Sequence, residues 1–265
     1  MIRVGAVVVL LTVLAAIAAP WVAPYDPASQ QLSLRLERPS LQHPFGLDEL
    51  GRDIFSRILA GARISLLVGL TVVGVSSLVG ILLGSIAGYF GGWIDDLISR
   101  TIDVLLAFPG ILLAIALVAV LGPSLANVVM ALSVIGWVGY ARLVRGQVLK
   151  ARELEFVQAA RALGAGTSRI LLRHVVPTTM PAVMVQATLG MAGSILAEAS
   201  LSFLGLGVQP PTPSWGTMLN GGRLHLLDAP HLTIFPGAAI AALVLGFNFL
   251  GDGLRDALDP KRYRA

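Results

Sequence analysis

The chain has 265 residues, of which 55 % are hydrophobic and 13 % charged, and its mean hydropathy is +0.81. Soluble domains carry about 25 % charged residues, so this composition excludes an ordinary soluble globular protein. The net charge of +4 is explained below by sorting of positive residues across a membrane, not by a nucleic-acid partner. Cysteine is absent, which excludes disulfides, thiolate metal sites and cysteine nucleophiles.

The apolar residues are grouped in six blocks, each about 18–25 residues long, the length that a helix needs to cross about 30 Å of hydrocarbon. No block alternates polar with apolar residues as a membrane β-barrel strand does. We therefore predict an all-α integral membrane protein with six transmembrane helices. The predicted spans are Val4–Val22, Ile64–Tyr89, Val104–Leu121, Leu125–Val144, Pro181–Leu206 and Leu232–Leu250. Pro109 is expected to kink the third span.

The first span has two interpretations. Arg3, the apolar run and Ala16-Ile17-Ala18 are typical of a signal peptide, but the run is also long enough for a retained helix. We predict a retained first helix over residues 1–22, an external loop over 23–62 and five further spans within 63–265. Both interpretations place residues 20–62 outside.

The positive residues favour one orientation. With the N-terminus inside, thirteen of the nineteen Lys and Arg residues fall in cytoplasmic segments and six fall outside. Because cytoplasmic loops carry the excess of Lys and Arg, we predict that both termini are cytoplasmic. Four of the thirteen lie at the C-terminal end: Arg255, Lys261, Arg262 and Arg264.

Several kinds of chemistry are missing from the chain. There is no G-x-x-x-x-G-K-[ST] loop and no H-E-x-x-H, and no histidine falls within a predicted span. His225, Asp228 and His231 have a spacing that suits metal ligands, but Pro230 interrupts any helix that would align them. We predict no catalytic residue, no metal site and no cofactor on this chain.

Three polar residues lie within or beside the spans. An ionisable group at depth is costly, so Glu198 is expected to face the bundle, a partner or a water-filled path. It either bridges helices through hydrogen bonds or lines a translocation pathway. Asp103 lies at the end of a span, three residues from Arg100, and is expected to form an interfacial ion pair. Asn248 is expected to bridge helices.

The long connection between the fourth and fifth spans is the richest stretch. Glu155–Leu163 has strong helix formers, and the glycines of Gly164-Ala165-Gly166 are expected to end this helix. Thr167 or Ser168 is expected to cap a second helix, Arg169–Val176, that ends at Pro177. Such a helix–turn–helix either docks in a groove of another protein or lies on lipid headgroups, and physical reasoning leaves both open.

This stretch resembles the E-A-A-x3-G-x9-I-x-L-P motif of ABC importer permeases. Gln158-Ala159-Ala160, Gly164 and Pro177 keep its spacing, whereas Gln158, His174 and Val176 replace its Glu, Ile and Leu. Glu155 and Arg161 match the E-F/Y-V-x-A-A-R form of the peptide-permease branch. Three further segments are similar to the dipeptide, oligopeptide and nickel permeases, and to the "C" member of their permease pair: residues 43–57 (HPFGLDELGRDIFSR), 201–207 (LSFLGLG) and 251–260 (GDGLRDALDP).

The resemblance implies a permease subunit of a type I ABC importer in the bacterial inner membrane. Its partners would be a second permease, two ATP-binding subunits that carry ATP and Mg, and an external substrate-binding protein. The resemblance implies a coupling loop at residues 145–180, with contacts to the ATPase from Glu155, Gln158, Ala159, Ala160, Arg161, Gly164 and Pro177. It implies peptides as substrates, with nickel or glutathione as the alternative. A stand-alone channel or secondary transporter is the alternative from another class, but the chain shows no internal repeat.

Overall fold

The computed structural model describes residues 1–258, and every regular element among them is helical. Leu32–Leu34 and Arg223–His225 form short 3₁₀ turns, and Leu171–Val175 form a π-helical segment. The α-helices of this part of the chain are α1 (Ile2–Val22), α2 (Ile54–Phe90), α3 (Gly92–Leu106), α4 (Gly110–Leu121), α5 (Leu125–Ala151), α6 (Glu155–Ala162), α7 (Thr167–Ile170), α8 (Val176–Phe203), α9 (Trp215–Gly222) and α10 (His231–Leu258).

Five helices are long and apolar enough to cross a membrane, namely α1, α2, α5, α10 and the continuous helix Thr167–Phe203. The third predicted span, Val104–Leu121, is wrong as a single helix, because α3 and α4 meet at an angle of 84°. Pro109 disfavours helical geometry at Phe108, so the chain breaks there instead of bending gently. With twelve residues, α4 is about 18 Å long and too short to cross alone.

The directions of α2 and α5 show that α3 and α4 together cross the bundle. Glycines on α2 lie against the α5 residues sixty positions later: Gly80 against Tyr140, Gly84 against Val144 and Gly88 against Val148. The two helices therefore run parallel, in contact so close that an added Cβ would clash. Because parallel neighbours begin at the same end of the bundle, residues 91–124 must return across it. The α3–α4 pair is thus a broken sixth span.

The first helix packs as part of the bundle. Gly5 of α1 lies against Gly246 and Leu250 of α10, and Ile2 lies against Gly253, so α1 and α10 are antiparallel. This packing favours the membrane-helix interpretation of residues 1–22. Of the C-terminal positive residues, Lys261, Arg262 and Arg264 lie outside the described residues, as do the last two residues of the 251–260 segment.

The 43–57 segment forms a buried network of hydrogen bonds and ion pairs at the start of α2. Asp53 caps α2 by accepting hydrogen bonds from the Ser56 N–H and hydroxyl, and its other oxygen lies 2.9 Å from His43 Nδ1. Asp48 Oδ2 accepts from Arg52 Nε at 2.6 Å. Trp215 of α9 covers the first turns of α2 and donates from Nε1 to the Ile58 carbonyl at 3.0 Å. We call the end of the bundle at which residues 43–57 and Trp215 lie the loop end.

Candidate functional site

The opposite end of the bundle carries a compact elbow, defined as residues 152–175 between α5 and α8. Within it α6 ends as the sequence predicts: Gly164 has a φ of +79°, a conformation that favours glycine. The Ala165 N–H donates to the Ala160 carbonyl at 3.0 Å, closing the terminal turn. The elbow therefore has a fixed shape made by its own backbone.

The elbow is fastened to the bundle by apolar side chains. Val157 of α6 and Val175 of the π-helical segment are fully buried, in one cluster with Val148 and Ala151 of α5. Gln158 adds a hydrogen bond from Nε2 to the Arg152 carbonyl at 3.1 Å. A force applied to the elbow is thus passed directly to α5 and α8.

The outer surface of the elbow is open. Leu163, next to the glycine turn, is 88 % exposed, and Leu172 of the same elbow is 69 % exposed. No atom lies within 4 Å of a Cβ added at Gly164. Of the predicted coupling residues, Ala160 is half-buried and the other six are exposed: Glu155, Gln158, Ala159, Arg161, Gly164 and Pro177.

The second helix of the elbow differs from the prediction. It was expected to cover Arg169–Val176 and to end at Pro177, but it begins at Thr167 and continues through Pro177 into α8. The proline is tolerated because it occupies the first turn of the α-helical register, where no backbone donor is needed. The π-helical segment before it shifts the hydrogen-bond register. The elbow and the fifth span are therefore one continuous helix.

Halfway along the bundle, α2, α4, α5 and α8 line an open cavity of about 290 Å³. Half of its lining residues are small, and Gly110, Gly136, Gly190 and Gly193 leave backbone exposed to it. Its polar lining is uncharged: Ser76, Tyr140, Gln186 and Ser194. The hydroxyl of Ser76 is buried and makes no hydrogen bond with any residue in 1–258. The only sign of this cavity in the sequence is Gln186, a polar residue within an apolar span.

Glu198 lies outside this cavity lining and is completely buried. Its Oε1 accepts from the Ser202 hydroxyl at 2.7 Å, and its Oε2 accepts from the Ser65 hydroxyl of α2 at 3.5 Å. These contacts favour the helix-bridging interpretation of Glu198. Asn248 is half-buried, and its side chain makes no hydrogen bond to another described residue, so its bridging role stays a prediction.

The charges between α3 and α5 form two ion pairs. Asp103 lies 3.3 Å from Arg142 Nη2, so its partner is a residue of α5 and not the expected Arg100. Asp95 accepts two hydrogen bonds from Arg145, the second at 2.7 Å from Nη2. The sequence did not reveal these pairs, because their members are separated by 39 and 50 positions.

The histidines at the loop end are not arranged as ligands of one ion. His225 Nδ1 lies 3.1 Å from Asp228 Oδ2, and this hydrogen bond lowers the pKa of Asp228. His231 instead lies against Gly46. Within residues 1–258 no three His, Asp or Glu side chains are grouped closely enough to hold a metal ion.

Residues 80–264 match the family model described as a binding-protein-dependent transport system inner membrane component. Residues 1–44 match the N-terminal transmembrane domain of oligopeptide transport permease C. The glutathione transport system permease proteins GsiD of Escherichia coli O6:K15:H31 and Shigella boydii serotype 4 are each 53 % identical over 262 residues. The match covers 98 % of this chain and 86 % of each relative.

The fold is also that of a solved transporter. A chain of the inward-facing MetNI methionine ABC transporter superposes with a TM-score of 0.62 and 17 % identity, covering 77 % of this chain and 96 % of that one. At this identity the likeness concerns the fold alone. The chain belongs to the binding-protein-dependent transport system inner membrane components and is a multi-pass permease subunit of an ABC importer, resembling the "C" permeases, in which partner subunits hydrolyse the ATP.

Proposed function

We propose that this subunit, paired with a second and different permease, imports short peptides that an external binding protein delivers. Glutathione is itself a tripeptide, and the name of the GsiD relatives supports it as one such substrate. Nickel import is the alternative within the family. In this proposal the chain carries no cofactor, and ATP and Mg belong to two ATPase subunits.

The elbow end of the bundle faces the cytoplasm in this proposal, and both termini lie on that side. The elbow helices and the inner end of α5 carry much of the positive charge of the chain, as cytoplasmic segments do. The loop end then faces outward. There the exposed run Gln209–Thr212 and the exposed parts of residues 23–42 are available to a binding protein.

The observation that carries the proposal is the construction of the elbow. Its outer face is exposed and combines small residues with charged side chains and with open leucines at 163 and 172, which suits insertion into a cleft of an ATPase. Its inner face is locked to α5 and continuous with α8. Closure of the ATPase pair would therefore move α5 and α8 together, and these two helices line the cavity. Substrate would pass along this lined surface as the helices rock.

The elbow is tested by blocking its exposed face. Gly164→Trp and Ala160→Arg are each expected to abolish ATP-driven uptake in the complete importer, while this chain still inserts and pairs with the second permease. The control is Gly122→Trp: Gly122 also has a positive φ, of +92°, with open space around it, but lies at the loop end. Normal uptake in the elbow variants, or equal loss in the control, would contradict the lever.

The substrate is tested by uptake with the binding protein that functions with this permease. Proteoliposomes that contain all subunits are given labelled glutathione, labelled trialanine or ⁶³Ni²⁺ separately. Uptake of either peptide with ATP, and none of nickel, supports the proposal. Uptake of nickel alone would show that the alternative is right.

A further inference from the structure

The two ion pairs between α3 and α5 are built differently. Asp95 and Arg145 share two hydrogen bonds, Ser99 also donates to Asp95, and the side chains are only 16 % and 34 % exposed. Asp103 and Arg142 share one contact of 3.3 Å, and their side chains are 67 % and 63 % exposed. The first pair already fastens α3 to α5. The second is open on one side and free to exchange partners.

The open pair lies about two turns inside the end of α2. The constant offset of sixty residues places Arg142 level with Leu82 of α2, eight residues before that helix ends at Phe90. At 1.5 Å per residue this is about 12 Å inside the cytoplasmic end of the helix. With 37 residues α2 is about 55 Å long, so this level falls near the edge of a hydrocarbon core of about 30 Å, where an exposed ion pair faces a water-accessible space.

The position of α4 shows which space this is. Gly110, the first residue of α4, packs on Ile135 of α5. From Ile135 towards the elbow, α4 therefore leaves one face of α5 uncovered. Gly139, three residues before Arg142, lies on that face and is exposed. A Cβ at Gly139 would lie 3.9 Å from Nε2 of Gln186, which lines the cavity. A continuous surface therefore runs from the cavity past Gly139 to the open pair.

We infer that Arg142 is a binding station for the carboxylate of the transported peptide on the cytoplasmic side of the pathway, with Asp103 holding its guanidinium when no substrate is present. This inference rests on the proposed function, because only a substrate with a carboxylate would use the station. Guanidinium binds a carboxylate with two parallel hydrogen bonds, which the single contact to Asp103 does not provide. The released Asp103 carboxylate then faces the ammonium end of the peptide. The site is exposed to water, which keeps binding weak enough for release.

The absence of cysteine permits a direct test of access. Gly139→Cys in the complete importer, in inside-out vesicles, is treated with an anionic or a cationic membrane-impermeant methanethiosulfonate, and labelling of this chain is read by mass. The same labelling is done in an Asp103→Asn background, which leaves Arg142 unpaired, and there its positive charge about 6 Å away favours the anionic reagent by roughly three- to tenfold. We expect this preference, and expect Arg142→Gln to remove it. The control Leu82→Cys, exposed at the same level but on α2, is expected to stay unlabelled.

The carboxylate itself is tested with trialanine and trialanine amide. Uptake of each by proteoliposomes is divided by its occupancy of the binding protein, measured separately. The acid-to-amide ratio is expected to fall at least threefold in Arg142→Gln and to be retained largely in Arg142→Lys. Trialanine, but not its amide, is expected to protect Gly139→Cys from labelling.

The outcomes separate this inference from the proposed function. If the wild-type importer takes up neither peptide, the proposed substrate class is wrong. If it takes up peptide but the acid-to-amide ratio is unchanged in Arg142→Gln, or Gly139→Cys is no more reactive than Leu82→Cys, the station does not exist. A purely structural ion pair would instead lower the yield of assembled importer in both Asp103→Asn and Arg142→Gln without changing the ratio, and that result would also overturn the inference.

Discussion

Replacing Gly84 with alanine is expected to destabilise the bundle by forcing α2 away from α5. The new Cβ would lie 2.5 Å from the Ala141 carbonyl oxygen and 3.0 Å from Cβ of Val144. Ordinary contacts begin at 3.4 Å, so the α5 backbone would have to retreat by about 0.9 Å. Overpacking of this kind costs about 1–3 kcal/mol.

Gly74→Ala on the same helix is the matched control. No atom lies within 4 Å of a Cβ at Gly74, so nothing has to move. Both substitutions gain the same helix propensity, about 1 kcal/mol relative to glycine, and the difference between them isolates the packing cost. With a tenfold change for every 1.4 kcal/mol, Gly84→Ala should be less stable than Gly74→Ala by a factor of roughly 5–150.

The assay is unfolding of the purified importer in mixed micelles at increasing denaturant, followed by loss of the folded permease. Gly84→Ala should unfold at lower denaturant than Gly74→Ala, and at or below the denaturant midpoint of wild type, because the helix-propensity gain offsets about 1 kcal/mol of its packing cost. Stabilities of the two variants that agree within about 0.5 kcal/mol would refute the argument. They would mean that α2 and α5 separate without cost and are not one rigid unit.

Three further changes test other parts of the structure. In Glu198→Gln the side-chain amide can still form hydrogen bonds with the hydroxyls of Ser202 and Ser65, so uptake should fall only modestly. Complete loss of uptake with normal assembly would favour a pathway role. Val157→Ala removes a buried side chain that fastens the elbow to the bundle and should lower the stability of the permease by about 0.5–2 kcal/mol. Because the elbow is then held less firmly, more ATP should be hydrolysed per substrate molecule transported. An unchanged ratio of ATP hydrolysed to substrate transported would contradict this role of Val157. Trp215→Phe removes a second donor from the Ile58 carbonyl, which keeps its helical backbone partner in α2. It should lower the thermal midpoint of the importer by an amount equivalent to about 0.5–1.5 kcal/mol, and a midpoint equal to that of wild type would count against this bond.

The sequence was sufficient for the number of spans and for the chemistry of the elbow turn. Both depend on local information: apolar length fixes a span, and Gly164 fixes a left-handed helix end. The family motifs supplied the expectation of a coupling role for the elbow. Pro177 was wrongly predicted to end a helix. A proline destabilises the interior of a helix, but not its first turn, and Pro177 lies in the first turn of α8.

Long-range features were beyond the sequence. The helix α3 carries Asp95, Asp96, Arg100 and Asp103, which hide it from any search for apolar blocks. Only the contacts with α5 show that two of these charges, Asp95 and Asp103, are paired with arginines. The cavity is likewise formed from four helices that approach closely at glycines, and a single residue pattern does not reveal which glycines meet.

The π-helical segment Leu171–Val175 determines how the rest of the elbow is rotated about the axis of α8. Each residue of an α-helix advances the chain by about 100°, so inserting or deleting one residue here would turn the elbow by more than a quarter of a circle around the α8 axis. The ATPase cleft would then meet a different side of the elbow. We therefore expect the segment to tolerate changes of its exposed side chains but not an insertion or deletion of one residue.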